Sequence, residues 1–204
     1  MDAKTCLEKM RLVGTLAMAT VDSDGSPQIR CVSAVHYEPD ALYFFTARGK
    51  AMARQLLADG RVQTMVRTRF NEMIRMSGAV KPAPKDEQEM WMDKIFEEQP
   101  YLANVYPGKT REIGIIFKIE DIMLEYFNLG VHPIERGTYK LDGAVNTVKK
   151  GYFISDECIG CGTCASVCPQ KCIVDGSPYT IAENHCLHCG ACFENCPVNA
   201  VERY

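Results

Sequence analysis

Cys158-Ile-Gly-Cys161-Gly-Thr-Cys164-Ala-Ser-Val-Cys168-Pro169 recurs as Cys186-Leu-His-Cys189-Gly-Ala-Cys192-Phe-Glu-Asn-Cys196-Pro197. Both copies read C-x2-C-x2-C-x3-C-P. Three thiolates on one tight loop can cap three irons of a cubane, while the fourth, beyond a short helical turn, points elsewhere. In chains with two such runs that fourth thiolate ligates the other cluster. The spacing therefore assigns one [4Fe–4S] cluster to Cys158, Cys161, Cys164 and Cys196, and a second to Cys186, Cys189, Cys192 and Cys168. Zinc also accepts four thiolates and binds C-x2-C pairs. Two duplicated runs, each closed by Cys-Pro, favour iron and sulfide.

Outward from this repeat, cysteine usage sets the class. The chain has 11 cysteines, an odd number, and nine of them lie between Cys158 and Cys196. A secreted disulfide framework would bring a signal peptide and usually an even count. The first residues, MDAKTCLEKMRLVG, show neither the basic region nor the apolar stretch of a secretory leader. The longest apolar runs, such as 113–117, are far shorter than the roughly 20 residues a bilayer needs. The expectation is a protein of the reducing cytoplasm, with no membrane span. Net charge of −3 and pI near 5.8 lack the basic footprint of a nucleic-acid binder. A chain of 204 residues has room for one ordinary domain and a smaller one.

The stretch 149–204 resembles a bacterial-type 2[4Fe–4S] ferredoxin over that family's full length, and the resemblance implies a small α+β domain for low-potential, one-electron transfer. Gly160, Gly162, Gly190 and Ala191 let backbone N–H groups approach the cluster sulfurs, which is one lever on potential. Acidic residues outnumber basic ones here, which suits docking to a basic redox partner. Two neighbours invite a role. Cys172 aligns with Ala200 in the repeat and reads as a small buried residue, not a ligand. His188 aligns with Gly160 and reads as a solvated loop side chain.

Upstream the hydrophobic period is mostly two. Residues 14–21 read as a strand, Asp22-Ser-Asp-Gly-Ser-Pro27 as a turn and 28–37 as its antiparallel partner, followed by a turn at 38–40 and a strand at 41–46. An amphipathic helix is expected over 50–58, with Met52, Leu56 and Leu57 on its buried face. Strands at 61–69 and 72–80 follow. After the break Lys81-Pro-Ala-Pro84 comes a helix at 86–98 that carries Trp91, and then strands at 112–119 and 122–127. Many short antiparallel strands with two peripheral helices suggest a small closed barrel.

The order Gly14-Thr-Leu-Ala, Asp-Gly turn, Ile-Arg-Cys-Val, Leu-Tyr-Phe-Phe-Thr, Lys50, Gln-Leu-Leu-Ala-Asp and Gly78 resembles the flavin-binding split-barrel family named after pyridoxamine 5′-phosphate oxidase, over roughly residues 1–130. The resemblance implies a mainly antiparallel split β-barrel with peripheral helices, binding FMN at a two-fold homodimer interface. It also implies Arg30 and Lys50 as phosphate contacts, Val32 and Ser33 along the flavin edge, and Phe45 and Thr46 closing the site. Relatives of the fold also hold deazaflavin or haem. The loop Thr46-Ala-Arg48-Gly-Lys50 is two residues shorter than the family's usual one. The oxidase proper ends in a tryptophan- and arginine-containing strand that holds its substrate; here that tail is replaced by the ferredoxin-like stretch, which argues against oxidation of pyridoxamine phosphate.

The expected organisation is an FMN-binding barrel at 1–140, a linker at 141–148 and a 2[4Fe–4S] domain at 149–204. Such a chain would be an FMN-dependent oxidoreductase, a reductase in direction, in which the clusters relay single electrons and a small molecule is the substrate. The alternative is a non-catalytic electron carrier or redox-sensing module. Cys6 and Cys31 have no ligand-spaced neighbours and read as buried thiols. His36 and His132 are lone histidines without a catalytic constellation, and Met73 and Met76 read as core filler.

Overall fold

The computed structural model describes residues 1–141 and 149–204, so the linker expected at 141–148 lies, apart from Leu141, outside the described residues. The chain forms two compact units. The first comprises Met1–Thr68, Met73–Glu125 and, of the described residues, 139–141; the second comprises Arg69–Glu72, Tyr126–Thr138 and 149–204.

The first unit opens with helix α1 (Ala3–Val13), which sequence periodicity did not suggest. Its ends are nevertheless well specified. The Asp2 carboxylate accepts a hydrogen bond from the Thr5 N–H at 2.7 Å, and Gly14 ends the helix with φ of 77°. Strand β1 (Leu16–Val21) turns Leu16, Met18 and Thr20 inward and pairs with β2 (Pro27–Val32) from Leu16↔Val32 to Val21↔Pro27. The single strand expected at 28–37 is two. The Val35 N–H bonds back to the Ser33 carbonyl at 2.9 Å, which ends β2 and starts β3 (Val35–Tyr37), the partner of β4 (Leu42–Ala47).

Helix α2 (Ala51–Ala58) buries Met52, Ala53, Gln55 and Leu56, whereas Leu57 is 59% exposed and leaves the face expected for it. Strands β5 (Arg61–Arg67) and β6 (Glu72–Pro82) form a long hairpin, and α3 (Gln88–Glu98), α4 (Leu102–Val105) and a 3-10 turn at Gly108–Ile113 lead into β7 (Gly114–Asn128). β7 runs through both strands expected at 112–119 and 122–127, accommodating Asp121 at φ of 53°. Beyond the expected set, β8 (Glu135–Lys140) pairs with β7.

The sheet order is β2-β1-β5-β6-β7-β4-β3 with β8 on β7. This is an antiparallel half-barrel with β2 and β3 at its two ends, in place of the closed ring suggested by strand count. Leu16, Met18, Phe44, Ile74, Met76 and Phe117 are fully buried. On the other side of β4, Tyr43, Phe45 and Ile116 pack with Met92 and Ile95 of α3, flanked by Trp91, Phe96 and Tyr106.

In the second unit, β9 (Tyr152–Ile154) pairs with β12 (Val201–Arg203) and β10 (Ile173–Val174) with β11 (Thr180–Ile181). Two short helices, α5 (Thr163–Val167) and α6 (Ala191–Glu194), carry Cys164 and Cys192 inward. The core is small: Tyr152, Cys164, Ile173, Cys192 and Val201. Ile134 is tied to the cysteine-rich segment through both backbone groups. Its N–H donates to Gln170 Oε1 at 2.9 Å, and its carbonyl oxygen lies 2.8 Å from His185 Nδ1. Among the described residues no helix is long and apolar enough to cross a membrane.

Candidate functional site

The cysteines line two separate cavities. One is bounded by Cys158, Cys161, Cys164 and Cys196 with Ile154, Tyr179 and Val201 as apolar wall. The other is bounded by Cys168, Cys186, Cys189 and Cys192, together with Tyr152, Ile173 and a fifth cysteine, Cys172. Each cavity thus takes three cysteines from one run and one from the other. Among the described residues no three His, Cys, Asp or Glu side chains converge closely enough for a single metal ion. Four thiols around each of two cavities suit polynuclear cubanes, so the donor set fits the groups its spacing implies.

Local backbone explains how the loops wrap. In the first run Gly160 and Gly162 take φ of 71° and 75°; in the second, His188 and Gly190 take 56° and 84° at the matching positions. The repeat is therefore structural as well as literal. His188 is half-buried, not the solvated side chain expected, because its ring packs over Gly151, where a Cβ would stand 2.6 Å from Nε2. Its backbone N–H donates to Cys186 Sγ at 3.4 Å, and the Ala200 N–H donates to Cys196 Sγ at 3.2 Å. Arg136 Nη1 donates to the Cys186 carbonyl oxygen at 3.2 Å.

Burial raises the thiols of Cys164 and Cys186 and pushes Cys192 up to about 11. Cys161, at the surface beside the Thr163 hydroxyl, is lowered by that hydrogen bond. Cys172 is buried as expected, pushed up to about 12 by that burial and then by its contact with Cys168. Iron takes thiolates, so metal binding at the buried positions must offset the cost of deprotonating them.

In the half-barrel the residues implied as flavin contacts fall in more than one place. Arg30 is half-buried, with Nη1 on Thr20 Oγ1 at 2.5 Å and Nη2 on Gln55 Oε1 at 2.8 Å; Gln55 in turn donates to Asp22 at 3.0 Å. Burial lowers the Arg30 pKa, and the Asp22 charge opposes that shift. Val32 is buried at the end of β2, and Ser33 Oγ lies 2.7 Å from Tyr101 Oη. Phe45 and Thr46 are neighbours on β4 and so face opposite sides of the sheet. Phe45 packs edge-on against Phe96 and Tyr106 at 5.2 and 5.0 Å, whereas Thr46 Oγ1 is buried with no hydrogen-bond partner among the described residues. Lys50 is exposed at the head of α2, its Nζ 6.0 Å from the Tyr106 ring centre. Beside Tyr106 opens a cleft of about 650 Å³ that includes Phe96, Lys109 and Arg111.

The lone histidines separate. His36 is 5% exposed, with Glu98 at 2.8 Å from Nδ1 and Glu38 at 2.8 Å from Nε2, and it stacks on Trp91; His132 is exposed. Cys6 is fully buried, but Cys31 is exposed on the outward face of β2, against expectation. Met76 is core, and Met73 is half-buried. Sequence reasoning missed Thr20, Gln55, Tyr101 and Tyr106, which no local pattern marks. It also missed how close Cys172 comes to Cys168, although the i, i+4 spacing was a visible hint.

The family model described as pyridoxamine 5′-phosphate oxidase matches residues 4–122, and one described as a 4Fe–4S dicluster domain matches residues 157–200. Among curated proteins the chain is 31% identical over 97 residues to a pyridoxine/pyridoxamine 5′-phosphate oxidase of Anaeromyxobacter dehalogenans, covering 47% of each chain. It is 56% identical over 32 residues to a ferredoxin of Butyribacterium methylotrophicum, covering 16% of this chain and 58% of that one. The chain thus spans about half the length of the curated relatives it matches. Two solved structures share the fold of the first part. One is a NimC/NimA family protein of Clostridium acetobutylicum, with TM-score 0.57 and 20% identity over 68% of this chain and 91% of that one. The other is a pyridoxamine 5′-phosphate oxidase-related, FMN binding protein of Nostoc punctiforme, with TM-score 0.51 and 18% identity over 70% of this chain and 94% of that one.

Proposed function

The chain belongs to the pyridoxamine 5′-phosphate oxidase family through residues 4–122, and from that premise we propose that it is an FMN-dependent oxidoreductase, working as a reductase, in which two [4Fe–4S] clusters relay single electrons and an unidentified small molecule is the substrate. The observation that carries this reading is the three-plus-one cysteine lining of both cavities, in a chain whose C-terminal part is a 4Fe–4S dicluster ferredoxin domain. Bound FMN would supply two-electron chemistry toward an organic molecule and one-electron exchange with the clusters.

The residues that would hold the flavin are Arg30, Val32, Ser33, Phe45, Thr46 and Lys50. Arg30 is oriented by Thr20 and Gln55 and keeps further N–H donors for a phosphate. Lys50 stands at the N-terminus of α2, where the helix dipole also favours an anion. The partnerless Thr46 hydroxyl fits a ligand that supplies the missing bond. A homodimer is supported by the outward face of β2, β1 and β5. There Ile29, 74% exposed, and Met65, 39% exposed, flank Ala17 and Ala19 in register. The net charge of −3 argues against a nucleic-acid partner, and thiolate-held clusters suit the reducing cytoplasm.

A second reading, a non-catalytic carrier, draws on the exposure of Cys161, Cys189 and Ile159, which leaves both cluster loops open to a redox partner. The test is an anaerobic visible spectrum of the purified chain with iron, sulfide and released-flavin analysis. About eight irons and one FMN per chain, with the reduced flavin reoxidised by small acceptors but not reduced by pyridoxamine phosphate, is the expected result. Iron without flavin removes the oxidoreductase reading. Flavin that only partner proteins reoxidise leaves the carrier.

A further inference from the structure

Cys172 and Ala200 stand at matching places in the repeat, each four residues after the last cysteine of its run. Both are buried, Ala200 at 1% and Cys172 at 6% exposure. Ala200 brings only its backbone N–H to Cys196 Sγ. Cys172 brings a thiol, with Sγ 3.5 Å from Cys168 Sγ, on the wall of the cavity that Cys168 shares with Cys186, Cys189 and Cys192. Four thiolates complete a cubane, so the fifth has no iron left to take. A buried thiol has one polar act open to it, donation of its S–H, and the sulfurs within reach are those of Cys168, at 3.5 Å, and Cys186, both on this cavity; the Cys168 contact has the larger effect on Cys172.

We propose that Cys172 is a positioning residue that donates its S–H to the cluster-ligating sulfur of Cys168 and so raises the reduction potential of the second cluster. Reduction adds negative charge to the cluster and its thiolates, and a donor on a ligand sulfur stabilises the reduced form more than the oxidised one. The first cluster has no side-chain donor at this place, because its counterpart is Ala200. The duplicated runs are thereby made unequal at this place, while the first run carries its own hydroxyl, Thr163 Oγ1 at 3.4 Å from Cys161 Sγ, where the second has Ala191. The inference rests on the ligand assignment proposed above.

The test uses the intact chain loaded anaerobically with iron and sulfide, with iron counted before any titration. Cys172→Ala installs the residue the repeat already tolerates at 200; Cys172→Ser keeps a donor; Ala200→Cys adds one to the other cluster. Potentiometric titration followed by electron paramagnetic resonance should show full iron in all three. In Cys172→Ala the reduction equilibrium of one cluster should fall about tenfold, a shift of about 59 mV for one electron. Cys172→Ser should recover much of that shift, and Ala200→Cys should raise the potential of the other cluster. Full iron with both potentials unmoved in Cys172→Ala overturns the donor role and leaves the cluster assignment standing. Loss of half the iron in Cys172→Ala and Cys172→Ser overturns both, since Cys172 is then a ligand.

Discussion

In the half-barrel Phe44 and Phe117 lie fully buried, their ring centres 5.6 Å apart, whereas the middle of the cysteine-rich unit holds Cys164 and Cys192 beside Tyr152, Ile173 and Val201. The first core is built from large side chains on an eight-stranded sheet, and its stability scales with apolar area removed from water. Between residues 149 and 204 the strands are of two or three residues and the α-helices of four or five. So small a core cannot offset chain entropy by burial alone, and metal–thiolate bonds must supply the difference. One chain thus joins a part that folds by packing to a part that folds by ligation.

The comparison is broken most directly by removing iron. Anaerobic chelation should abolish amide protection across 152–203 while 16–47 stays protected; equal protection in both would show that ligation is not what holds the small unit. A graded form of the same loss follows from pH. Cys164, Cys186 and Cys192 are raised by burial, the last to about 11. Iron capture must deprotonate these thiols, whose unfolded value is about 8.5. Loading, read by visible absorbance, should therefore improve from about pH 6 to 8.

Phe44→Ala should cost the half-barrel about 3–5 kcal/mol by denaturant unfolding and leave iron content unchanged; a parallel loss of iron would make the two parts one cooperative whole. Gly151→Ala should cost about 1–3 kcal/mol. Gly151 has φ of 109°, and a Cβ there meets the His188 ring. The smallest effect is Asp2→Ala, about 1 kcal/mol from the lost cap on α1, seen as a shift in denaturation midpoint of the half-barrel alone.

The two parts also differed in legibility. The cysteine runs could be read to the residue because ligation demands fixed spacing, and Gly160, Gly162 and Gly190 confirm the loop in their φ values. In the half-barrel the alternating strands β1, β4, β5 and β6 were visible. The break at Ser33 and the continuity of β7 through Asp121 were not, since both depend on pairing partners distant in sequence. Helix α1 was hidden by its short apolar stripe of Cys6, Leu7 and Met10, although Asp2 and Gly14 mark its ends. Leu57 and Cys31 were misplaced because an apolar residue at a strand or helix position reads as buried until the face is known. The flavin residues were the least legible, since Phe45 and Thr46 turn to opposite sides of one strand.

The crossing of the cysteines has a consequence for the order in which the chain is made. As synthesis runs from the N-terminus, Cys158, Cys161 and Cys164 emerge early, yet the cavity they bound gains its fourth wall only when Cys196 appears. The other cavity waits in the same way, since Cys168 stands ready while Cys186, Cys189 and Cys192 are still to come. Neither half of the repeat can be finished before the other has begun. A ribosome that stops before Cys196 releases a chain with most of these thiols but one incomplete cage, and iron loading would tell such fragments from chains that carry Cys196.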